Sequence, residues 1–276
     1  MDTPGINKKM RLLGGTIEFS LYKTEKPLNE SIFDEINEEM LRLQKIFNFF
    51  DSESELSQLN KERTLIASQD LIKVIKMSLP YCEFSNGKYD ISKGKEFIQR
   101  KSGETVTQVN CSFKDVQIEG NRITLAHPAV LIDLGSVAKG YIGDKMKKFL
   151  QGKEITSAFI DLRGDMLFYG ELTEKINIQH PRNPEKSIFS FEKSNAAIAT
   201  SGDYNQYHDN YDNSHILNSE DFCSVTVIAD TLAEADILAT CIFTSGTKEL
   251  EKYSNKRYFV VTKSLDTFIS DKFIGN

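Results

Sequence analysis

Leu131-Ile132-Asp133-Leu134-Gly135-Ser136-Val137-Ala138-Lys139-Gly140 is the stretch on which the reading of this chain turns. An apolar run stops at Gly135, and over residues 137–150 apolar positions return at helical spacing, with several lysines near the end. That pattern predicts a strand, a glycine turn and a helix N-terminus. Repeated along the chain, such a unit would build a parallel α/β sheet, so what surrounds it decides the fold class. Upstream, residues 14–22 alternate apolar and polar side chains as a strand does. Residues 31–49 place Ile32, Ile36, Met40, Leu43, Ile46 and Phe47 on one helical face, with Asn29 or Ser31 available as a cap. A second helix is predicted over residues 68–84, ended by Asn86-Gly87, with Pro80 threatening its last turn. Residues 106–130 read as short strands broken by Gly120-Asn121 and by Pro128.

Downstream, residues 157–169, 175–179, 187–192, 224–228 and 257–262 read as strands, and residues 231–244 as a helix. Strands cluster between helices without strict alternation, which predicts an α+β fold with helices packed on mainly antiparallel sheets. Residues 1–13 are expected to be disordered or flexible. Residues 14–276 are expected to form one domain, or two intimately joined lobes.

Composition narrows the partners. The 276 residues are 39% hydrophobic and 27% charged, enough to bury a sizeable core. With 34 basic against 40 acidic residues the net charge is −6, and no Lys/Arg block stands out. Nucleic acid and anionic membrane are therefore not expected partners. Cys82, Cys111, Cys223 and Cys241 form no CxxC pair and no ligand spacing with the four histidines, and read as reduced packing residues. No apolar run is long enough to span a bilayer, so the chain as given is expected in the cytoplasm; a trimmed N-terminal signal would make it membrane-anchored or exported.

Three places could carry chemistry. The turn from Asp133 to Gly140 sets an acid, a permissive glycine and Lys139 around a helix start, where free N–H groups attract phosphate oxygens. An ordinary strand-to-helix turn with a surface lysine would look the same. Asp236 and Thr240 are four apart on a predicted helix and share a face, expected to be open to solvent. A carboxylate and a hydroxyl so placed suit Mg²⁺, and equally suit local hydrogen bonds inside a helix. Residues 199–204 read as a small polar turn, and His215 follows in Asn213-Ser214-His215-Ile216-Leu217. It is either a proton-moving histidine near a substrate loop or one lying beside a hairpin.

These pieces occur in a fixed order, and the order resembles the ApbE family, the FAD:protein FMN transferases, from about Gly14 to Thr244. The resemblance is carried by residues 47–60 (FNFFDSESELSQLN), residues 85–92 (SNGKYDIS) and the Asp133 to Tyr141 turn (DLGSVAKGY). It continues through residues 178–182 (IQHPR), 199–204, 214–216 and 224–229, then Glu234-Ala235-Asp236 and Ala239-Thr240. What it implies is a Mg²⁺-dependent enzyme that splits FAD and joins the FMN half to a Thr or Ser hydroxyl of an acceptor flavoprotein, with AMP leaving. Asp236 and Thr240 then fall on metal-ligand positions, with a backbone oxygen at Ser136 as a third. Phe50, Asp90, Ser92, Asp133 and Lys139 fall on or beside flavin-nucleotide positions. His215 matches a histidine implicated in transfer, and His215 and Asp236 are the candidate general bases.

The departures are specific. Gly14 stands where many members have Met, Phe50 replaces a common Tyr, Arg163-Gly164 replaces a Gly-Gly pair, and residues 216–221 are altered. That last change keeps in view an FAD pyrophosphatase giving FMN and AMP; a second alternative is a non-catalytic flavin-binding protein that retains the nucleotide residues without the metal pair. The intact Asp236 and Thr240 pair argues against the second.

Overall fold

A computed structural model describes residues 5–24, 28–204 and 221–274. The main sheet contains β1 (Ile6–Leu12), β2 (Gly15–Thr24), β6 (Ile155–Leu162), β7 (Asp165–His180), β8 (Asn183–Gly202), β9 (Phe222–Ala229), β10 (Arg257–Thr262) and β11 (Thr267–Ile269). They lie in the order β1-β2-β6-β7-β8-β9-β10-β11, and every neighbouring pair is antiparallel. A small sheet joins β3 (Thr64–Ile66), β5 (Arg122–Leu125) and β4 (Val116–Glu119) in that order. The helices are α1 (Ile32–Phe47), α2 (Glu55–Glu62), α3 (Gln69–Phe84), α4 (Gly94–Ser102), α5 (Ala138–Gly152) and α6 (Leu232–Ser245). The architecture is α+β, as the sequence predicts.

Helices α5 and α6 pack on each other and on the central strands β6 to β9, and α1 and α3 close over them. β9 is buried along its whole length because both its faces are covered. Val225, Val227 and Ala229 join the helix-side core, while Cys223 and Ile228 join a second cluster with Phe191, Phe259 and Phe273. All four cysteines are buried and free, as packing residues are. Among the described residues no helix is long and apolar enough to cross a membrane.

The structure corrects several expectations. Ile6–Leu12 is not flexible; it pairs residue by residue with β2, from Ile6 opposite Leu21 to Leu12 opposite Gly15. Its polar outer face of Asn7, Lys9 and Arg11 hid the strand, because an edge strand needs only one apolar side. Residues 157–169 are not one strand but the arms of a hairpin, reversed at Arg163 and Gly164, which take φ of 63° and 94°. Pro80 does not end α3, whose apolar face stays buried through Ile75, Ser78 and Cys82. Residues 199–202 belong to β8 rather than to a turn. The run before Gly135 is not a sheet strand either: Leu131 makes a single parallel bridge with Lys93.

That last segment is held in an extended form by other means. Leu131 and Asp133 donate their N–H groups to Ser92 and Ile91 carbonyls at 3.1 and 2.8 Å. On the opposite side the Asn60 amide donates to the Ile132 carbonyl (2.9 Å) and accepts its N–H (2.7 Å), so one side chain stands in for a neighbouring strand. The outcome is that Asp133 is delivered beside Asp90 and at the foot of α5.

Candidate active site

A cleft of about 910 Å³ opens where the start of α5, the middle of α6, the first residue of β7 and the 131–136 segment meet the ends of α1 and α4. Phe50, Asp90, Asp133, Ser136, Lys139, Asp236 and Thr240 all line it, so residues far apart in sequence converge on one concave surface. Ser92 does not line it. That side chain is fully buried, and its Oγ and N–H both donate to Asp90 Oδ1, at 2.7 and 2.9 Å. His215 lies outside the described residues.

The floor is set by the fit of α5 against α6. Asp144 on α5 accepts the N–H groups of Leu232 and Ala233 (2.8 and 3.0 Å), satisfying orphan donors at the start of α6. Thr231 Oγ1 accepts a third from Glu234. Gly140 permits the approach: a Cβ there would sit 2.4 Å from the Leu232 carbonyl oxygen. With the helices this close, the Gly140 N–H donates to Asp236 Oδ2 at 3.1 Å.

Lys139 is consequently no free surface lysine. Its Nζ is ion-paired with Asp165 Oδ2 and lies 3.8 Å from Asp236 Oδ1. Asp165 and Asp236 are buried, so two carboxylates share one ammonium and the cluster carries a net negative charge when all three ionise. Burial alone would lower the Lys139 ammonium, but the two carboxylates hold it well above its ordinary value. Burial pushes the Asp236 carboxyl up to about 7; Lys139 opposes the shift and Asp165 adds to it. Lys139 is closer to Asp165, so Asp236 is the carboxylate left under-compensated.

This floor has the donors a hard divalent cation takes. Asp236 offers a carboxylate, and Thr240 offers a hydroxyl one turn on, which also hydrogen-bonds Ser201 Oγ at 3.0 Å. Because the Gly140 N–H goes to Asp236, no N–H among the described residues donates to the Ser136 carbonyl. Among the described residues no group of three or more His, Cys, Asp or Glu side chains forms a metal cluster. Mg²⁺ needs no such cluster, since it accepts one or two protein carboxylates and fills its shell with water and phosphate oxygens. The residues present fit that cation.

Above the floor, Asp133 accepts the Gly135 N–H (3.2 Å), and burial pushes its carboxyl up to about 6. Asp90 spends Oδ1 on Ser92 and Oδ2 on the Phe113 N–H (3.2 Å), and burial raises it as well. The three donors Asp90 accepts make it a clamp on its own turn, with Ser92 as the partner that fixes it. The rim is aromatic. Phe50 is 64% exposed, meets Phe49 edge-on at 5.3 Å and carries Lys101 Nζ 4.1 Å from its ring centroid.

Asp165 and Lys101 escaped the sequence reading, which met Arg163 only as a departure from a Gly-Gly pair and Asn60 only as the end of the 47–60 stretch. Asp165 follows a reversal that the sequence reads as continuous strand, and Lys101 sits on the short helix α4, which has too few apolar residues to show a periodicity. The signal for Asp165 was present, as an acid directly after a glycine at the start of an apolar run.

The profile of the ApbE family matches residues 13–261, and the chain belongs to that family. Among curated relatives, the FAD:protein FMN transferase of Klebsiella pneumoniae is 30% identical over 162 residues, covering 54% of this chain and 51% of that protein. The protein of the same name from Vibrio cholerae is 24% identical, covering 81% of this chain and 74% of its own length. The matched part of this chain thus spans only about half the length of the Klebsiella relative. The fold is shared with the flavin transferase ApbE of Vibrio cholerae (TM-score 0.83, 21% identity, 98% of this chain and 99% of that one). It is shared also with the ApbE protein of Thermotoga maritima (TM-score 0.86, 22% identity, 98% of each chain).

Proposed function

We propose that this chain transfers the FMN half of FAD to a Thr or Ser hydroxyl of an acceptor flavoprotein, with Mg²⁺ and with release of AMP. The observation that carries the proposal is the half-buried Lys139 shared by the buried carboxylates of Asp165 and Asp236, with Thr240 on the same helix face as Asp236, at the floor of a cleft rimmed by Phe50. The names of the relatives supply the substrate pair. Asp236, Thr240 and the Ser136 carbonyl are the proposed metal ligands. Mg²⁺, when bound, supplies a Lewis acid that neutralises pyrophosphate charge.

The chain's own residues do the remaining tasks. Phe50 offers an aromatic face to the flavin, with Asp90 and Asp133 shaping the pocket beneath it. Lys139 and the positive end of the α5 dipole lie where pyrophosphate oxygens gather negative charge. The acceptor hydroxyl oxygen attacks the phosphorus of the FMN half, the bond to the AMP oxygen breaks, and AMP departs with the electron pair. The hydroxyl proton passes to one of two proposed bases, Asp236 or His215. Such a base contributes on the order of 10²–10⁴-fold.

The test is incubation with FAD, Mg²⁺ and a candidate acceptor, followed by intact mass. An acceptor heavier by one FMN is the expected result. FMN and AMP released with no adduct would make the chain an FAD pyrophosphatase instead.

A pH dependence follows from Asp236. Its carboxyl is raised to about 7, so it is protonated below that pH and must lose the proton to ligate a cation. Mg²⁺ affinity measured by titration calorimetry is therefore expected to fall about tenfold for each pH unit below about 7 and to level off above it. A flat profile from pH 5 to 8 would remove Asp236 from the ligand set.

A further inference from the structure

We propose that Arg163 is a second phosphate-binding cation of this cleft, gripping the pyrophosphate oxygens of the dinucleotide beside Lys139; the inference rests on the flavin-transfer reading above. The other cations on the wall have partners among the described residues: Lys101 Nζ sits over the Phe50 ring, 4.1 Å from its centroid. Lys139 is divided between two carboxylates, Lys88 donates to the Ser245 carbonyl (2.9 Å) and pairs with Glu249, and Lys93 donates to the Val109 carbonyl (2.9 Å). The Arg163 guanidinium also lines the cleft, yet among the described residues it meets no carboxylate. Its one hydrogen bond there is from Nη1 to the Leu13 carbonyl, at 2.9 Å. It lies near enough to Lys139 for the two positive charges to oppose each other. A guanidinium has five N–H donors in a planar fork that matches phosphate oxygens, and this exposed one gives a single hydrogen bond to a protein acceptor among the described residues.

The surroundings are built for that side chain. Arg163 holds φ of 63°, a left-handed conformation that a non-glycine residue adopts at a cost. Its aliphatic stem lies along Gly15, where a Cβ would come within 2.6 Å of Nε and 2.9 Å of Cδ. The strained turn aims the side chain, the bare glycine gives it a bed, and the Leu13 carbonyl fixes the fork at the edge of the site.

Binding of FAD in the presence of Mg²⁺ and without acceptor, followed by flavin fluorescence, tests the inference. Glycine accepts a left-handed φ freely, so Arg163→Gly is expected to fold and melt like the wild type while weakening FAD binding about 10- to 100-fold, the range for a hydrogen bond to a charged group. Arg163→Lys should recover part of the loss. Riboflavin, which carries no phosphate, should bind both proteins alike. Gly15→Ala keeps the charge but displaces it, and should weaken FAD binding in the wild type while adding nothing in the Arg163→Gly background. Equal FAD affinity in wild type and Arg163→Gly, or a defect confined to the acceptor's KM, overturns the assignment. A wild type that binds no FAD at all overturns the flavin reading and this inference with it.

Discussion

Asp236→Asn is expected to lower FMN transfer by on the order of 10²–10³-fold, the cost of removing one fixed electrostatic contribution from a transfer site, while the fold persists. Asparagine is the informative replacement because Asp236 is only 4% exposed and accepts the Gly140 N–H at 3.1 Å. Contrary to the expectation from the sequence, the position is not open to solvent, and truncation to Ala would strand that buried N–H at a cost of about 1–3 kcal/mol. The amide oxygen keeps the hydrogen bond and removes only the charge. That charge faces Lys139 at 3.8 Å but competes with Asp165 for it. Its removal therefore relieves the cluster, and the metal-free variant should melt no lower than the wild type. Addition of Mg²⁺ should raise the melting temperature of the wild type and leave Asp236→Asn unmoved. Near-normal turnover of the variant at saturating Mg²⁺ would show that the metal lies elsewhere.

The fold class and most of this site were legible because they rest on local patterns. The long helices α1, α3 and α5 carry apolar faces, α6 is apolar almost all round, and the strands they pack on alternate or run apolar, so the α+β arrangement could be read without the structure. The elements that were missed are short or one-sided. β1 is a lysine-rich edge strand, α4 buries little beyond Gly94, and α2 contributes just Leu56 and Leu59 to the core. Elements of that kind are specified by what they pack against. The site divides in the same way. Asp236 and Thr240 share a helix face by spacing alone, and the Asp133 turn announces itself by its glycine. Asp165 and Arg163 reach the cleft through a hairpin whose reversal needs two consecutive residues at positive φ, and the sequence Arg163-Gly164 signals only the second of them. Ser92, matched by position on or beside the nucleotide site, is a buried partner of Asp90, a placement its spacing did not announce.

Lys139→Met is expected to affect stability as strongly as activity, and the pH dependence of that loss identifies its cause. The lysine is the only cation that either buried carboxylate meets at ion-pair distance among the described residues, through Asp165 Oδ2 and Asp236 Oδ1. Methionine fills much of the volume and supplies no charge, leaving two like charges with no counter-ion in a protein interior. Breaking a buried pair in this way costs about 3–5 kcal/mol. Without the ammonium the Asp236 carboxyl, already raised to about 7 in the folded state, rises further, while in the unfolded chain it titrates near 3.9. A raised folded pKa favours folding while the group is protonated in both states, and that contribution is lost as pH climbs through the folded value. The share of the variant's deficit that comes from Asp236 should accordingly be absent near pH 4 and open above about pH 7, by up to about 1.4 kcal/mol per pH unit. Mg²⁺ at pH 8 should return part of the lost stability, since Asp236 then offers a cation an uncompensated carboxylate, and Lys139→Arg should fold without that help. Parallel denaturation curves of wild type and Lys139→Met from pH 4 to pH 8 would mean that the cost is lost packing, and the shared-lysine account of this cluster would have to be given up.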